Sequence, residues 1–306
     1  MPILGLGTWK SRPDEVYNAI REAIHTGYRH FDCARIYNNE VEIGTALNDA
    51  IKEGDVNRQE LWITSKLWND RHARKDVVPA LRKALQRLRL DYLDLFLVHW
   101  PIAFEPGKND SPNGIVYAAP DKYPIEDTWK GMEECVALEL TKHIGVSNFS
   151  ITKIKALLDK AQIPPEMNQV ELHPFLSQMA LVEYCHDRHI HVTAYAPLGS
   201  KDRPDELMKQ GEADLLGNPV ILDISLRSGM TPAQVLIRWS IERGISVIPK
   251  SVHPERIRQN FYSTNFSMGS GDMEAIASLD RHARFIDAGF WVHEGSPHTL
   301  ESIWDE

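Results

Sequence analysis

Four polar side chains near the ends of predicted strands could together protonate an oxygen atom that develops negative charge. Asp32 lies in HFDCA, Tyr37 follows in the loop DCARIYNNE, Lys66 ends LWITSK, and His99 ends LFLVH. A tyrosine titrates near pKa ~10, so it is a weak acid near neutrality unless a neighbouring positive charge favours the phenolate. We expect Lys66 to supply that charge, Asp32 to hold Lys66, and His99 to donate a hydrogen bond to a substrate oxygen.

Each of these residues has an ordinary structural explanation when it is taken alone. Asp32 could cap a turn, Lys66 could be an exposed loop lysine, and His99 could be a hydrogen-bonded core histidine, because position in a fold is weak evidence of function. Their joint placement at strand ends favours a shared site. Such a set needs no nucleophile if hydride arrives from elsewhere. The alternative is a barrel aldolase, in which Lys66 forms a Schiff base and no dinucleotide is needed.

A unit of helix and strand recurs along the whole chain and would position these residues. The stretch PDEVYNAIREAIHT carries apolar residues at helical spacing and is followed by Gly27, a helix-ending residue. Eight short apolar stretches are typical of strands: LGLGTW, HFDCA, LWITSKL, LDLFLVHW, HIGVSN, MNQVELH, HVTAYAP and ISVIPK. Their near-continuous apolar character suits parallel strands that are covered by helices.

Eight such units predict an α/β fold, the (β/α)8 barrel, in which active-site residues lie at the carboxyl ends of the strands. A doubly wound sheet would also alternate strands with helices. Its GxGxxG fingerprint at the start of the first helix is missing, because LGLGTWK has only Gly5 and Gly7. The barrel is therefore the favoured architecture, and the Gly- and Pro-rich stretch 106–124 is expected to form a loop over its mouth.

The composition argues against nucleic acid and membranes as partners. The chain has 306 residues with 34 basic and 43 acidic ones, and the formal net charge of −9 disfavours nonspecific adhesion to polyanions. Three separated cysteines have no CxxC or Cys/His ligand spacing, so we expect neither a disulfide framework nor a metal site. No stretch is long and apolar enough for a membrane span or a secretory signal. We therefore expect a cytoplasmic protein.

Several motifs, in order along nearly the whole chain, resemble those of the aldo-keto reductases, especially the aldose and aldehyde reductase branch. The motifs are DCARIY, TSKLW, VHWP, GVSNF, NQVELHP, AYAPLGS and IPKSVHPERIRQN. The resemblance implies one barrel domain over residues 1–306 and a monomer. It also implies a catalytic tetrad of aspartate, tyrosine, lysine and histidine, which falls on Asp32, Tyr37, Lys66 and His99.

The resemblance further implies an NADP(H) site at the barrel mouth. The matching positions are Ser147, Asn148 and Gln169 for the nicotinamide amide, Tyr195 for stacking on its ring, Leu198 and Ser200 for further cofactor contacts, Lys250, Ser251 and Arg256 for the 2′-phosphate, and Gln259 and Asn260 for adenine. A guanidinium fork and a lysine both suit a phosphate dianion. NADH is expected as a weaker alternative, since the preference depends on contacts near the ribose.

Aromatic residues at the same strand ends suggest a substrate pocket. Trp9, Trp68, Trp100 and Phe104 follow predicted strands, and binding clefts are typically apolar with few polar anchors. Residues 281–306 show little periodicity and are expected to form a long ordered loop. In the resembled family this loop closes the pocket and influences substrate choice, and Trp291 is assigned to the pocket from its position.

The sequence thus predicts an NADPH-dependent reductase of aldehydes, with open-chain aldoses or ketones as further candidates. Hydride would reach the carbonyl carbon while Tyr37 protonates the oxygen. The alternative is a noncatalytic NADP-binding protein of the same fold, against which the presence of all four tetrad residues argues. A small carbonyl compound is the expected partner.

Overall fold

A single parallel sheet, with its strands in chain order, forms the centre of the computed structural model, which describes residues 1–107, 115–119, 121–208 and 211–306. Its eight strands in the described residues are β1 Leu6–Gly7, β2 His30–Asp32, β3 Trp62–Leu67, β4 Leu93–Val98, β5 Thr141–Ser147, β6 Met167–Glu171, β7 His191–Tyr195 and β8 Ser246–Val247. Every neighbouring pair is parallel, so all carboxyl ends meet at one edge.

Hydrogen bonds between the first and last strands close the sheet into a barrel. The Gly5 amide donates to the Val247 carbonyl at 2.9 Å, and the Gly7 amide donates to the Pro249 carbonyl at 3.0 Å. A further parallel bridge joins Gly7 to Lys250 beyond β8. The predicted (β/α)8 barrel is confirmed, with a shorter last strand than the stretch ISVIPK indicated.

Helices follow the strands and cover the outside of the sheet. In the described residues they are α1 Pro13–Thr26, α2 Glu40–Glu53, α3 Arg74–Leu88, α4 Ile125–Ala137, α5 Ile151–Leu158, α6 Met179–His186, α7 Pro219–Ser228, α8 Pro232–Glu242, α9 Pro254–Tyr262, α10 Ser270–Ala277 and α11 Leu300–Trp304. Helix α1 begins at Pro13, a favoured first position, and ends where Gly27 adopts φ 117°. Its apolar stripe, predicted from the sequence, is fully buried. No helix in the described part of the chain is long and apolar enough to cross a bilayer.

Apolar side chains pack in three places. The largest group lies between sheet and helices, a small group of Leu95, Leu97 and Met167 fills the barrel interior, and a third group, here the rim cluster, lies at the carboxyl ends of the strands. The buried members of the rim cluster are Trp68, Trp100, Ile102, Phe104, Ile286, Ala288, Trp291, Ile303 and Trp304. The rim cluster therefore joins the barrel mouth to the C-terminal segment, residues 281–306.

The C-terminal segment is more regular than a loop. It contains a short 3-10 turn at Gly289–Trp291 and helix α11, where the prediction was an irregular stretch. A capping box explains the helix, because Thr299 and Ser302 satisfy each other's backbone amides. Of the predicted mouth loop 106–124, residues 108–114 and 120 lie outside the described residues.

Candidate functional site

A cavity of about 920 Å³ opens at the carboxyl ends of the strands. Asp32, Tyr37 and His99 line it, whereas Lys66 lies beneath them and is only 2% exposed. Asp32 lies on β2, Tyr37 in the turn after it, Lys66 on β3 and His99 directly after β4, and these three strands are sequential neighbours in the sheet. Because parallel neighbours end at the same edge, the tetrad expected from the sequence is brought together at the cavity floor.

Lys66 connects the members of this group. Its ammonium donates to Asp32 Oδ2 at 2.6 Å, to the Cys33 carbonyl at 3.1 Å and to the Tyr37 hydroxyl at 3.2 Å. A buried ammonium is stable only when such partners replace water. The other carboxylate oxygen, Asp32 Oδ1, accepts from Gln169 Nε2 at 2.8 Å. Asp32 therefore ties the tetrad to a residue that we expected at the cofactor site, a link the sequence did not reveal.

Tyr37 remains a protonated phenol in this arrangement. Burial at the cavity floor raises the pKa of Tyr37 well above its usual value, and the negative charge of Asp32 acts in the same direction. The net shift is upward although the Lys66 ammonium donates to the Tyr37 hydroxyl, because burial is the largest cause and the Asp32 carboxylate lies against the same ammonium. A protonated hydroxyl beside a cation can still donate a proton to an oxygen that is more basic than a phenolate.

His99 is an uncharged imidazole that faces Tyr37. Burial lowers the pKa of His99 well below 6.5, and the nearby charge of Lys66 lowers it further. The two rings meet edge to face with centroids 5.9 Å apart. Nδ1 of His99 is buried and has no hydrogen-bond partner among the described residues. A neutral histidine can present one N–H to a substrate oxygen, as the sequence predicted for this position.

A chain of hydrogen bonds connects the expected nicotinamide residues to one another. The Tyr195 hydroxyl donates to Asn148 Oδ1 at 2.8 Å, and Asn148 Nδ2 donates to the His99 carbonyl at 2.9 Å. Ser147 Oγ donates to the Gln169 carbonyl at 2.8 Å. All four side chains line the cavity next to the tetrad. Amide and hydroxyl groups of this kind can bind a carboxamide.

Helix α9 forms the far end of the same cavity. The residues there that line it include Lys250, Ser251, Arg256, Gln259 and Asn260, all of which were expected from the sequence. The amino end of α9 has no side-chain cap, so the amides that follow its first residue, Pro254, are available to an anion. Within the described part of the chain Arg256 has no carboxylate partner. This end of the cavity therefore combines two cations with a helix amino terminus.

Two ion pairs of one carboxylate span the cavity between the tetrad and helix α9. Asp202 accepts from the Lys10 ammonium at 2.6 Å and from the Lys250 ammonium at 3.1 Å, and Lys10 also donates to Ser200 Oγ at 2.8 Å. The expected residues Leu198 and Ser200 also line the cavity. Lys10 and Asp202 were not identified in the sequence, because residues this far apart in the chain carry no local pattern for an ion pair.

Apolar side chains line the cavity on the other side of the tetrad. Trp9, Trp68 and Trp100 are among them, as expected, together with Ile36 and Phe290, which the sequence analysis did not select. Two predicted pocket residues lie elsewhere. Phe104 and Trp291 are nearly inaccessible and pack behind Trp68, at ring-centroid distances of 6.2 and 6.1 Å. The C-terminal segment thus directs Phe290, and not its neighbour Trp291, toward the cavity.

Comparisons with known proteins agree with this arrangement. A family model described as the aldo/keto reductase family matches residues 3–281. An aldo/keto reductase of Synechocystis sp. is 48% identical over 306 residues, which is 100% of this chain and 94% of that protein. The Mus musculus protein named aldo-keto reductase family 1 member A1 is 46% identical over 292 residues, with 94% of this chain and 88% of that protein covered. Its Homo sapiens counterpart is 45% identical over 295 residues, with the same coverage.

Proposed function

The chain belongs to the aldo/keto reductase family and reduces carbonyl compounds, and on that premise we propose that it reduces aldehydes to alcohols with NADPH. Open-chain aldoses and ketones are further candidates for the same chemistry. One observation carries the proposal: a hydroxyl that can donate a proton, an ammonium 3.2 Å from it and a neutral imidazole meet on the floor of one cavity. The three groups are Tyr37, Lys66 and His99.

Two residues of this chain would act on the carbonyl oxygen in different ways. His99 is neutral and orients the oxygen by a hydrogen bond, while Tyr37 gives it a proton. The negative charge left on Tyr37 is stabilised by the Lys66 ammonium, whose position is maintained by Asp32. The aromatic wall next to the tetrad makes this side of the cavity apolar, which strengthens these interactions.

The residues on the other side of the tetrad fit a phosphorylated dinucleotide. Amide and hydroxyl groups of Asn148, Ser147 and Gln169 would hold a carboxamide, and Tyr195 would offer an aromatic surface to a flat ring. Arg256 and Lys250, beside the uncapped end of α9, would hold a phosphate. When bound, NADPH supplies the hydride for the carbonyl carbon. NADH lacks the extra phosphate, so we expect it to bind less tightly.

Neither alternative from the sequence gains support. A Schiff-base lysine must be accessible to a substrate, but Lys66 is 2% exposed and donates to three protein groups. A noncatalytic NADP-binding protein would not need the tetrad, whereas here hydrogen bonds join Asp32, Lys66 and Tyr37, and the His99 ring meets the Tyr37 ring edge to face.

Replacement of the proposed acid tests this function. Tyr37→Phe removes the hydroxyl and keeps the ring, so NADPH should still quench protein fluorescence while aldehyde-dependent NADPH oxidation falls by at least about a hundredfold. Tyr262→Phe, at an exposed position on α9, is the matched control and should keep full turnover. Full turnover by Tyr37→Phe would refute the role of Tyr37. NADPH binding without any turnover by the unaltered protein would favour the noncatalytic alternative.

A further inference from the structure

A buried carboxylate at the end of β6 connects the barrel to the C-terminal segment. We propose that this residue, Glu171, is a positioning residue that holds the segment against the substrate end of the cavity and thereby sets the affinity for the carbonyl substrate. The inference rests on the function proposed above. Glu171 would then influence substrate affinity although it lies outside the tetrad and does not line the cavity.

The contacts of Glu171 are directed at the backbone of the segment. Oε1 accepts from the Phe285 amide at 2.6 Å, and Oε2 accepts from the Ile286 amide at 2.9 Å. His173 Nε2 is a third partner, 2.8 Å from Oε1. The carboxylate is completely shielded from solvent, with 0% side-chain exposure. Glu171 thus provides the acceptors that two consecutive amides of an irregular stretch would otherwise lack.

The segment that Glu171 holds forms part of the cavity wall. Ile286 lines the cavity and belongs to the rim cluster, and Phe290, one turn further along the segment, lines it as well. Phe285 packs on the His173 ring with centroids 4.6 Å apart. These two hydrogen bonds and this ring contact hold this part of the wall beside β6, next to the place where the Ala283 amide donates to the Phe175 carbonyl at 3.0 Å.

The strand that carries Glu171 also carries part of the expected nicotinamide site. Glu171 pairs with Tyr195 across the parallel strands, and Gln169 precedes it by two residues. Alternate residues of a strand face the same side. A change at Glu171 that moves the strand would therefore alter cofactor binding, whereas a change that only releases the segment would alter substrate binding. This difference separates a positioning role from a general structural one.

The test compares Glu171→Gln with Glu183→Gln, a matched control at an exposed position on α6. Glutamine keeps the shape, but its NH2 group faces an amide donor instead of accepting from it. We expect the KM for an aromatic aldehyde to rise about tenfold, which is the factor for the loss of one hydrogen bond to a charged acceptor. The kcat and the Kd for NADPH should stay within about twofold. The control should match the unaltered protein.

Hydrogen exchange provides a readout that does not depend on activity. In the unaltered protein the amides of Phe285 and Ile286 should exchange much more slowly than those of the exposed turn at Glu294 and Gly295. Glu171→Gln should remove this protection. If that variant does not fold, Glu171→Asp, which keeps the charge but has a shorter reach, takes its place with the same expected direction.

Each outcome decides the matter. A higher KM together with faster exchange at 285–286 supports the positioning role. A lower melting temperature with KM and exchange unchanged overturns it, and so does a weaker Kd for NADPH with unchanged KM, because both would assign Glu171 to the strand alone. If the unaltered protein shows no turnover, the proposed function fails instead, and the exchange experiment still tests whether Glu171 holds the segment.

Discussion

The proposed preference for NADPH over NADH should depend on Arg256, and Arg256→Gln is the perturbation that isolates it. Arg256 lies on the first turn of α9, lines the cavity and, within the described residues, has no carboxylate partner. Arg258, two residues later, has a similar exposure but pairs with Glu22 on α1. Arg258→Gln therefore removes the same charge from the same helix without removing a group from the cavity.

The expected loss of NADPH affinity in Arg256→Gln follows from the kind of contact that Arg256 would make. A hydrogen bond to a charged group contributes about 1.5 to 3 kcal/mol, and solvent exposure places Arg256 at the lower end of that range. A difference of about 1.4 kcal/mol is a factor of ten in affinity. Lys250 and the amino end of α9 remain as anion contacts. We therefore expect the Kd for NADPH to rise about tenfold and the Kd for NADH to change less than about twofold.

Fluorescence titration with both nucleotides measures the effect, and the ratio of the two Kd values is the quantity of interest. Arg258→Gln should leave that ratio unchanged. Added salt should reduce the NADPH advantage of the unaltered protein more than that of Arg256→Gln, because exposed charges are screened. An equal loss for NADPH and NADH in Arg256→Gln would refute the assignment, since it would show that Arg256 supports the fold of the site and not the phosphate.

Two further predictions concern stability. Burial lowers the pKa of His30 and of His72 to about 4, so below the unfolded value of about 6.5 the unfolded chain binds more protons, and stability is lost as the pH falls through this window. Between pH 7 and pH 5 the free energy of unfolding, measured in urea, should fall by about 2 kcal/mol for each histidine. In His72→Gln this free energy should depend less steeply on pH, and an unchanged pH dependence would contradict the assignment. Gly44→Ala places a Cβ 2.5 Å from backbone atoms of Arg87 and Leu88 and should destabilise the protein by about 1 to 3 kcal/mol, as read from the melting temperature. Gly271→Ala, in open space on α10, should instead stabilise it by about 0.5 to 1 kcal/mol, and equal effects of the two changes would contradict the close packing of α2 on α3.

The tetrad residues could be predicted from the sequence because strand ends can be recognised from the residues next to them. Asp32, Lys66 and His99 each lie at or next to the carboxyl end of a strand that is recognisable from a few apolar residues, and a closed parallel sheet puts all carboxyl ends on one side. The same reasoning placed Lys250 at the barrel mouth, since it follows the last strand, whereas its assignment to a cofactor phosphate came from the resemblance to the aldo-keto reductases. These positions needed no knowledge of how distant segments pack.

Contacts between distant segments could not be predicted in this way. Asp202 bridges Lys10 and Lys250 across loops whose paths have no periodicity. Which of two adjacent aromatic residues faces the cavity, Phe290 or Trp291, depends on how the C-terminal segment is held, and a strand or helix pattern says nothing about it.

The sequence by itself determined the barrel and which polar residues lie at the ends of its strands, because strand and helix periodicities report burial directly. Only the tertiary structure decided the protonation of Tyr37, the pairing of Gln169 with Asp32 and the place of the C-terminal segment on Glu171. The physical reason is that electrostatic and hydrogen-bond energies depend on distances of a few ångströms between groups that the chain brings together from remote positions.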